Sequence, residues 1–452
     1  PARCSVSLEA GLESRLGPVA AATYAAAALL LAMTRSPRTR LFVMMVLQFF
    51  VWGAWLPPVF DIMPGLGFSA NEQALIGSCF AIASIVGIFF SNQFADRSFA
   101  AERFLAGSHL IGGLALVGLY FTTTFWPFFA LMLVHSLVYV PTISVTNSLA
   151  FAHLRDPQKE FGLVRMGGTI GWILAAWPLY FVLKDIAPAE ALAAKRTVFL
   201  IAGAAALGLS AFSLFLPHTP PKPAVTAGDR LAFLKAAALL KKPFVLVLFL
   251  VTFVDATIHN GYFVMAFTYL ANRGFEPGQI MPVMSIGQVA EILTMAVLGM
   301  VLKSLGWRVT MTLGVLGHAA RFLVFAFSLD HTAIMAVQVL HGVCYAFFFA
   351  TVYIFIDAYF PSDVRTSAQG LFNLLILGLG DLAAKWLFLP LQEHYTSEVP
   401  KPLGAAGELT KVVDYQSLFL WPSGMALAAA VVLALCFHPP QQAAGRVVAP
   451  QH

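Results

Sequence analysis

The sequence predicts an all-α membrane protein of twelve transmembrane helices in two pseudo-symmetric six-helix halves. Three observations carry that reading. The composition is 59% apolar and 11% charged over 452 residues, with a mean hydropathy of +0.80, whereas a water-soluble domain carries about 25% charged residues. Apolar runs of about 20 residues recur, each long enough to cross the roughly 30 Å hydrocarbon layer as a helix, which satisfies its own backbone hydrogen bonds there. One long Pro-rich and then basic stretch, PHTPPKPAVTAGDRLAFLKAAALLKKP at 217–243, interrupts the runs in the middle.

Taken in order, residues 1–40 form an N-terminal segment. Its Ala-rich stretch VAAATYAAAALLLAM has the look of a signal peptide or an extra helix. Met33, however, opens MTRSPRTR, a plain basic lead-in to a first span, so residues 1–32 are expected to precede the natural start. The N-terminal half, 41–217, holds spans near 41–62, 72–92, 104–122, 126–150, 163–183 and 197–217. A cytoplasmic linker occupies 218–242. The C-terminal half, 243–437, holds spans near 243–269, 279–301, 309–328, 333–357, 366–389 and 414–437, and 438–452 is a tail. The halves echo each other at an offset of about 200 residues, as internal repeats do in many secondary transporters. FADRSFAAER follows the second span and LKSLGWR the eighth; VRMGGTIG opens the fifth and VRTSAQG the eleventh.

Lys and Arg set the orientation. With both ends inside, the inner segments collect Arg35, Arg38, Arg40, Arg97, Arg103, Arg155, Lys159, Lys235, Lys241, Lys242, Lys303 and Arg308, and the outer loops hold only Lys184, Lys195, Arg196, Arg273, Lys401 and Lys411. The excess of cations on one side places both termini in the cytoplasm of a cell (inner) membrane protein. It also accounts for the formal charge of +5 without a nucleic-acid partner. Cys4, Cys79, Cys344 and Cys436 are scattered, with neither a disulfide framework nor zinc spacing. No metal or cofactor is expected.

Function is sought among the polar residues inside the spans. A charge at the bilayer centre costs about 2.5–3.5 kcal/mol on insertion scales, so one kept there faces a cavity or a partner. Glu291, in IGQVAEIL, lies mid-span three residues after Gln288, which sets both on one helix face. Asp255 lies mid-span in VDATIHNGY, where Thr257 and Asn260 are three apart and His259 is adjacent. Arg165 and Thr169 are four apart in VRMGGTIG, and VPTISVTNS carries Thr142, Ser144 and Asn147. Gathered inward, these groups make a hydrogen-bonding pocket with one acid and one base at hand, suited to a small neutral polyhydroxylated solute. Trp52 and Trp55, three apart, offer a stacking face, with packing or interface anchoring as the alternative. Asp381 and Lys385, four apart, read as a self-paired structural couple facing outward. Asp96 and Arg97, in the loop after the second span, read as a gating loop or as a solvated pair.

LQFFVWGAWL, YVPTISVTNSLAF, VRMGGTIGWI, SIGQVAEIL and VRTSAQGLF resemble the matching stretches of the nucleoside:proton symporter family of the major facilitator superfamily. The likeness runs from about Leu41 to Phe437, and ADR at 95–97 resembles the superfamily's loop signature. The resemblance implies the major facilitator fold, no enzymatic activity, and import of nucleosides with protons through alternating access by a monomer. It implies that Arg165, Thr169, Asn260, Gln288 and Glu291 bind the nucleoside, and that acids carry the proton. The residues themselves add Asn147, Trp52 and Thr257 to the binding set, and the resemblance adds Tyr345, which stands at the family's aromatic position in CYAFFF. Glu291 is the leading proton-coupling acid and Asp255 the reserve. Two positions depart from the family pattern: Thr257 stands where a Gln is expected, and Ala346, after Tyr345, where an Asp is expected.

Other functions fit less well. An ATP-driven pump needs a phosphate-cradling GxxxxGK[ST] loop, and the chain has none. GLGD at 378–381 matches a membrane aspartyl-protease pattern, but that chemistry needs a second membrane Asp to share a proton, and no Tyr-Asp pair occurs in a span. A symporter of a sugar or sugar-containing metabolite, and a solute sensor that does not transport, are the remaining alternatives.

Overall fold

The computed structural model describes residues 36–87, 99–221, 237–360, 365–400 and 409–439. Among these the apolar runs are helices: α1 Pro37–Gly65, α2 Ala70–Val86, α3 Ala101–Phe121, α4 Phe125–His153, α5 Pro157–Leu183 and α6 Ala191–Ser213, then α7 Pro243–Asn272. One continuous run, Ile280–Phe327, turns at Gly306, whose φ of 71° lies in the left-handed region that glycine adopts without strain. Its arms, 280–305 and 307–327, are α8 and α9. The chain continues through α10 (His331–Tyr359), α11 (365–394) and α12 (Tyr415–Cys436). Both α10 and α11 are interrupted mid-span by a wider π turn, at Tyr345–Ala350 and Leu374–Leu379. Such turns free a backbone carbonyl and often mark functional sites.

The helices alternate in direction, so their connections gather at two ends. One, the linker end, carries the 214–242 connection. The other carries two antiparallel strands, β1 Thr396–Pro400 and β2 Leu409–Val413, paired from Thr396 with Val413 to Pro400 with Leu409. This hairpin is the departure from an all-α chain. Its strands lie outside the apolar runs, and their Thr and Val residues favour extended backbone. α2 starts at the hairpin end on a capping box, in which the Ser69 amide donates to the Glu72 carboxylate at 2.8 Å and the Glu72 amide donates to the Ser69 hydroxyl at 3.4 Å.

Large side chains such as Phe121, Phe181 and Leu293 are mostly exposed, as suits helices solvated by lipid. The interior is one extended apolar core and a smaller second cluster around Leu41, Met45, Leu105 and Leu149 in the N-terminal half, with polar knots inside. In the N-terminal half the knot is uncharged. Gln48 of α1 donates to Thr142 of α4 at 2.8 Å and accepts from His109 of α3 at 2.8 Å, and the Tyr139 hydroxyl donates to the Gln48 carbonyl at 2.6 Å.

The halves meet at the hairpin end and mid-bundle. The Thr268 hydroxyl donates to the Phe60 carbonyl at 3.5 Å and the Trp386 indole to the Ser78 hydroxyl at 3.0 Å, and Trp172 meets Phe263 edge-on at 5.7 Å. Asp381 and Lys385 pair directly, but they do not face outward. Both are buried, with Lys385 against Gly77 of α2 and its ammonium 6.0 Å from the Phe60 ring of α1. The halves press together there, so lipid is out of reach and each charge finds its counter-charge inside.

Candidate functional site

The site is built where α5, α8 and α10 approach one another mid-bundle. VRMGGTIG shapes the α5 side. A Cβ on Gly167 would lie 2.8 Å from the Phe42 carbonyl, and one on Gly171 would strike the Val46 carbonyl, so α5 lies directly on α1. Small residues spaced this way let helix backbones close up in a membrane. A Cβ on Gly168 would lie 2.5 Å from the Arg165 guanidinium and 2.7 Å from Phe49. The bare glycine therefore leaves room for the guanidinium to rest on the Phe49 ring, at 4.2 Å from its centroid.

Opposite, Gly342 of α10 packs on the backbone of Ala290 and Glu291, and a Cβ on Gly287 of α8 would lie 2.8 Å from that of His341. These contacts fix the register of Gln288 and Glu291. Glu291 is half-buried and lies in the field of Arg165; Tyr345 lies in the field of both. An acid and a base from different halves thus face one space, with Tyr345 beside them. Gln288 is buried and its Oε1 has no hydrogen-bond partner. Thr169 is half-buried one turn beyond Arg165. Asn147 is half-buried with its Oδ1 also unpartnered. Buried polar atoms are as a rule paired, so these exceptions mark places for a ligand or water.

Other expected residues are engaged elsewhere. Asn260 does not meet Gln288 across a cavity: its amide donates to the Ala256 carbonyl at 2.9 Å and to the Ile376 carbonyl of α11 at 3.0 Å. Ile376 belongs to the π turn of α11, which explains the freed acceptor. Thr257 is buried with its hydroxyl returned to the Phe253 carbonyl at 2.8 Å. Trp52 has one face stacked on Phe80 at 4.7 Å and Trp172 edge-on at 5.3 Å, so packing occupies its ring. Trp55 is buried against the His135 edge. Asp255 is fully buried, whereas Glu291 is half-buried. Ala346 is buried in the core. Asp96 and Arg97 lie outside the described residues.

Sequence reasoning missed two kinds of residue. Phe49 and Tyr353, which complete the surroundings of Arg165, carry no polar signal that separates them from core aromatics. His318, Arg321 and His341 did carry one, being ionisable groups within spans, and the spacing of three between His318 and Arg321 puts both on one face of α9.

Comparison with known proteins identifies the scaffold. A model of the nucleoside H+ symporter family matches residues 36–442. The chain belongs to this family. The symporter is 35% identical over 349 residues to a putative nucleoside transporter, YegT, of Escherichia coli strain K12, covering 76% of this chain and 81% of that one. It is 26% identical over 431 residues to a xanthosine permease of the same organism, covering 90% and 98%. Among solved structures, that of the nucleoside transporter NupG superposes with a TM-score of 0.76 at 23% identity, covering 90% of this chain and all of that one. At that identity the superposition speaks for the fold alone.

Proposed function

We propose that the protein imports nucleosides with protons by alternating access, as a monomer in the inner cell membrane with its linker end and both termini in the cytoplasm. Support for the solute class comes from family membership and the relatives' names. The observation that carries the mechanism is that Arg165 and Glu291, contributed by different halves and both half-buried, lie in one another's field.

In this reading the Gln288 and Asn147 amides and the Thr169 hydroxyl meet the ribose hydroxyls, since amides offer donor and acceptor together. The aromatic Tyr345 lies beside the base, and Asn260 offers its carbonyl oxygen while holding α7 to α11. Trp52 contributes its unpartnered indole N–H. Thr257 supports the wall. Asp96 and Arg97 serve as the gating loop. In this reading the hairpin end, where the halves are in contact, faces outward.

Coupling follows from charge. With Glu291 ionised, the space between the halves holds a cation and an anion whose attraction depends on the gap between them. Protonation removes the anion, so the halves re-pack around a neutral, loaded site; release to the cytoplasm restores it. Glu291→Gln keeps shape and hydrogen bonding while fixing the neutral state. The expected result is a carrier that exchanges labelled for unlabelled nucleoside but does not concentrate it when the outside of the vesicle is acidified. Full pH-driven accumulation by Glu291→Gln contradicts the assignment.

A further inference from the structure

The C-terminal half contains a second polar knot, and unlike that of the N-terminal half it is charged. Arg321 of α9 is fully buried. Its guanidinium donates to His341 Nδ1 at 2.7 Å and His318 Nδ1 at 3.1 Å and lies 4.1 Å from the Tyr262 ring centroid. Tyr262 in turn donates to Gln338 at 2.9 Å. A guanidinium can only donate, so both Nδ1 atoms are bare acceptors and both imidazoles carry their proton on Nε2. That tautomer aims the His318 N–H at Asp255 Oδ2, 3.7 Å away, a gap too long for a hydrogen bond.

Asp255 is therefore a fully buried carboxylate with neither oxygen hydrogen-bonded, linked to Arg321 only through an imidazole. In the same knot His259 Nδ1, His318 Nε2 and Arg321 Nε, and Gln338 Nε2 beyond Tyr262, are unpartnered too. A structural ion pair would have closed these bonds. The charged or titratable groups facing the carboxylate are Arg321 and His318 of α9 and Cys344 of α10, with His259 on its own helix. Among the described residues α1, α11 and α12, which also pack on α7, bring no charge to it. Ring contacts lead outward from it: His259 stacks on His341 at 4.8 Å and approaches the Tyr345 ring at 6.2 Å, and Tyr345 lies in the field of Glu291.

We propose that Asp255 is a second proton acceptor of the symporter, distinct from Glu291, with His318 and Arg321 as its positioning residues and His259 and His341 as its connection to the transport site. This rests on the proton-symport reading above and adds a site to it. The step adds a proton to one Asp255 oxygen, giving the neutral carboxylic acid; no bond between heavy atoms changes. Arg321 loses its counter-charge, and the surplus positive charge sits one helix contact from α8 through His341 and Gly287. Loading is thus felt at Gln288 and Glu291.

The test is the number of protons carried per nucleoside, found in vesicles from the combinations of pH and uridine gradient at which net flux vanishes. That ratio is a thermodynamic quantity, insensitive to damage that merely slows turnover. Asp255→Asn is expected to lower it by one relative to wild type. His318→Gln, which retains the acid but not the ring proton aimed at it, is expected to shift the external pH at which uptake is half-maximal. An unchanged ratio in Asp255→Asn overturns the proposal. Should that variant not insert, an unmoved pH midpoint in His318→Gln overturns it. If Glu291→Gln abolishes coupling while Asp255→Asn keeps the wild-type ratio, this inference falls and the Glu291 reading stands. If wild-type uptake ignores the proton gradient, both fall.

Discussion

Two amides that look alike in sequence, Asn260 and Gln288, are set apart by their partners. Asn260 holds α7 to α11 through the Ile376 carbonyl, whereas the Gln288 carbonyl oxygen has no partner in the protein. Removing one member of a buried hydrogen bond leaves the other unsatisfied, at about 1–3 kcal/mol. Asn260→Ala is therefore expected to lower thermal stability as well as nucleoside affinity. Gln288→Ala is expected to weaken affinity by roughly tenfold, the equivalent of about 1.4 kcal/mol, with little change in melting temperature. Calorimetric binding alongside thermal unfolding separates the two. Equal losses of stability would contradict the assignment of Gln288 to the solute.

At the scale of elements, α8 and α10 form one unit because Gly342 lies on the Glu291 backbone. A side chain there has nowhere to go, and overpacking a tight core costs about 1–3 kcal/mol. Gly342→Leu should separate the helices, lower the unfolding temperature and abolish saturable uptake; wild-type stability would contradict the packing. The spans themselves were legible, because hydropathy and helix length are local and the bilayer makes them coincide. So was the shared face of Gln288 and Glu291 on α8, which follows from their spacing alone; their role toward the solute is part of the proposal. The pairing of 396–400 with 409–413 was not, being a short match between two segments that lie just outside the apolar runs of α11 and α12. Nor was the knot around Arg321. His318, Arg321 and His341 are separate polar residues until α7, α9 and α10 are brought together, and only then does the Arg321 guanidinium assign their tautomers. Asp381 and Lys385 misled for the same reason: their spacing predicts the pair, but only the contact with α2 shows which way it faces.

At the scale of the molecule, the halves are in contact at the hairpin end. Lys385 and Phe60 close over Gly77, where a Cβ would lie 2.9 and 3.2 Å from them. Gly77→Phe should wedge that end apart and favour the opposite opening. Thiol labelling of a cysteine placed near Ser69 would rise, and pH-driven uptake would fall. Unchanged labelling would mean that the contact does not gate access. The central claim, that a proton gradient drives nucleoside uphill through the space shared by Arg165 and Glu291, is tested most directly by labelled uridine uptake into vesicles acidified outside. Unlabelled nucleosides, free bases and hexoses serve as competitors. The account predicts accumulation above equilibrium that collapses with the proton gradient and is displaced by nucleosides. Uptake indifferent to the gradient and displaced by hexoses would contradict it.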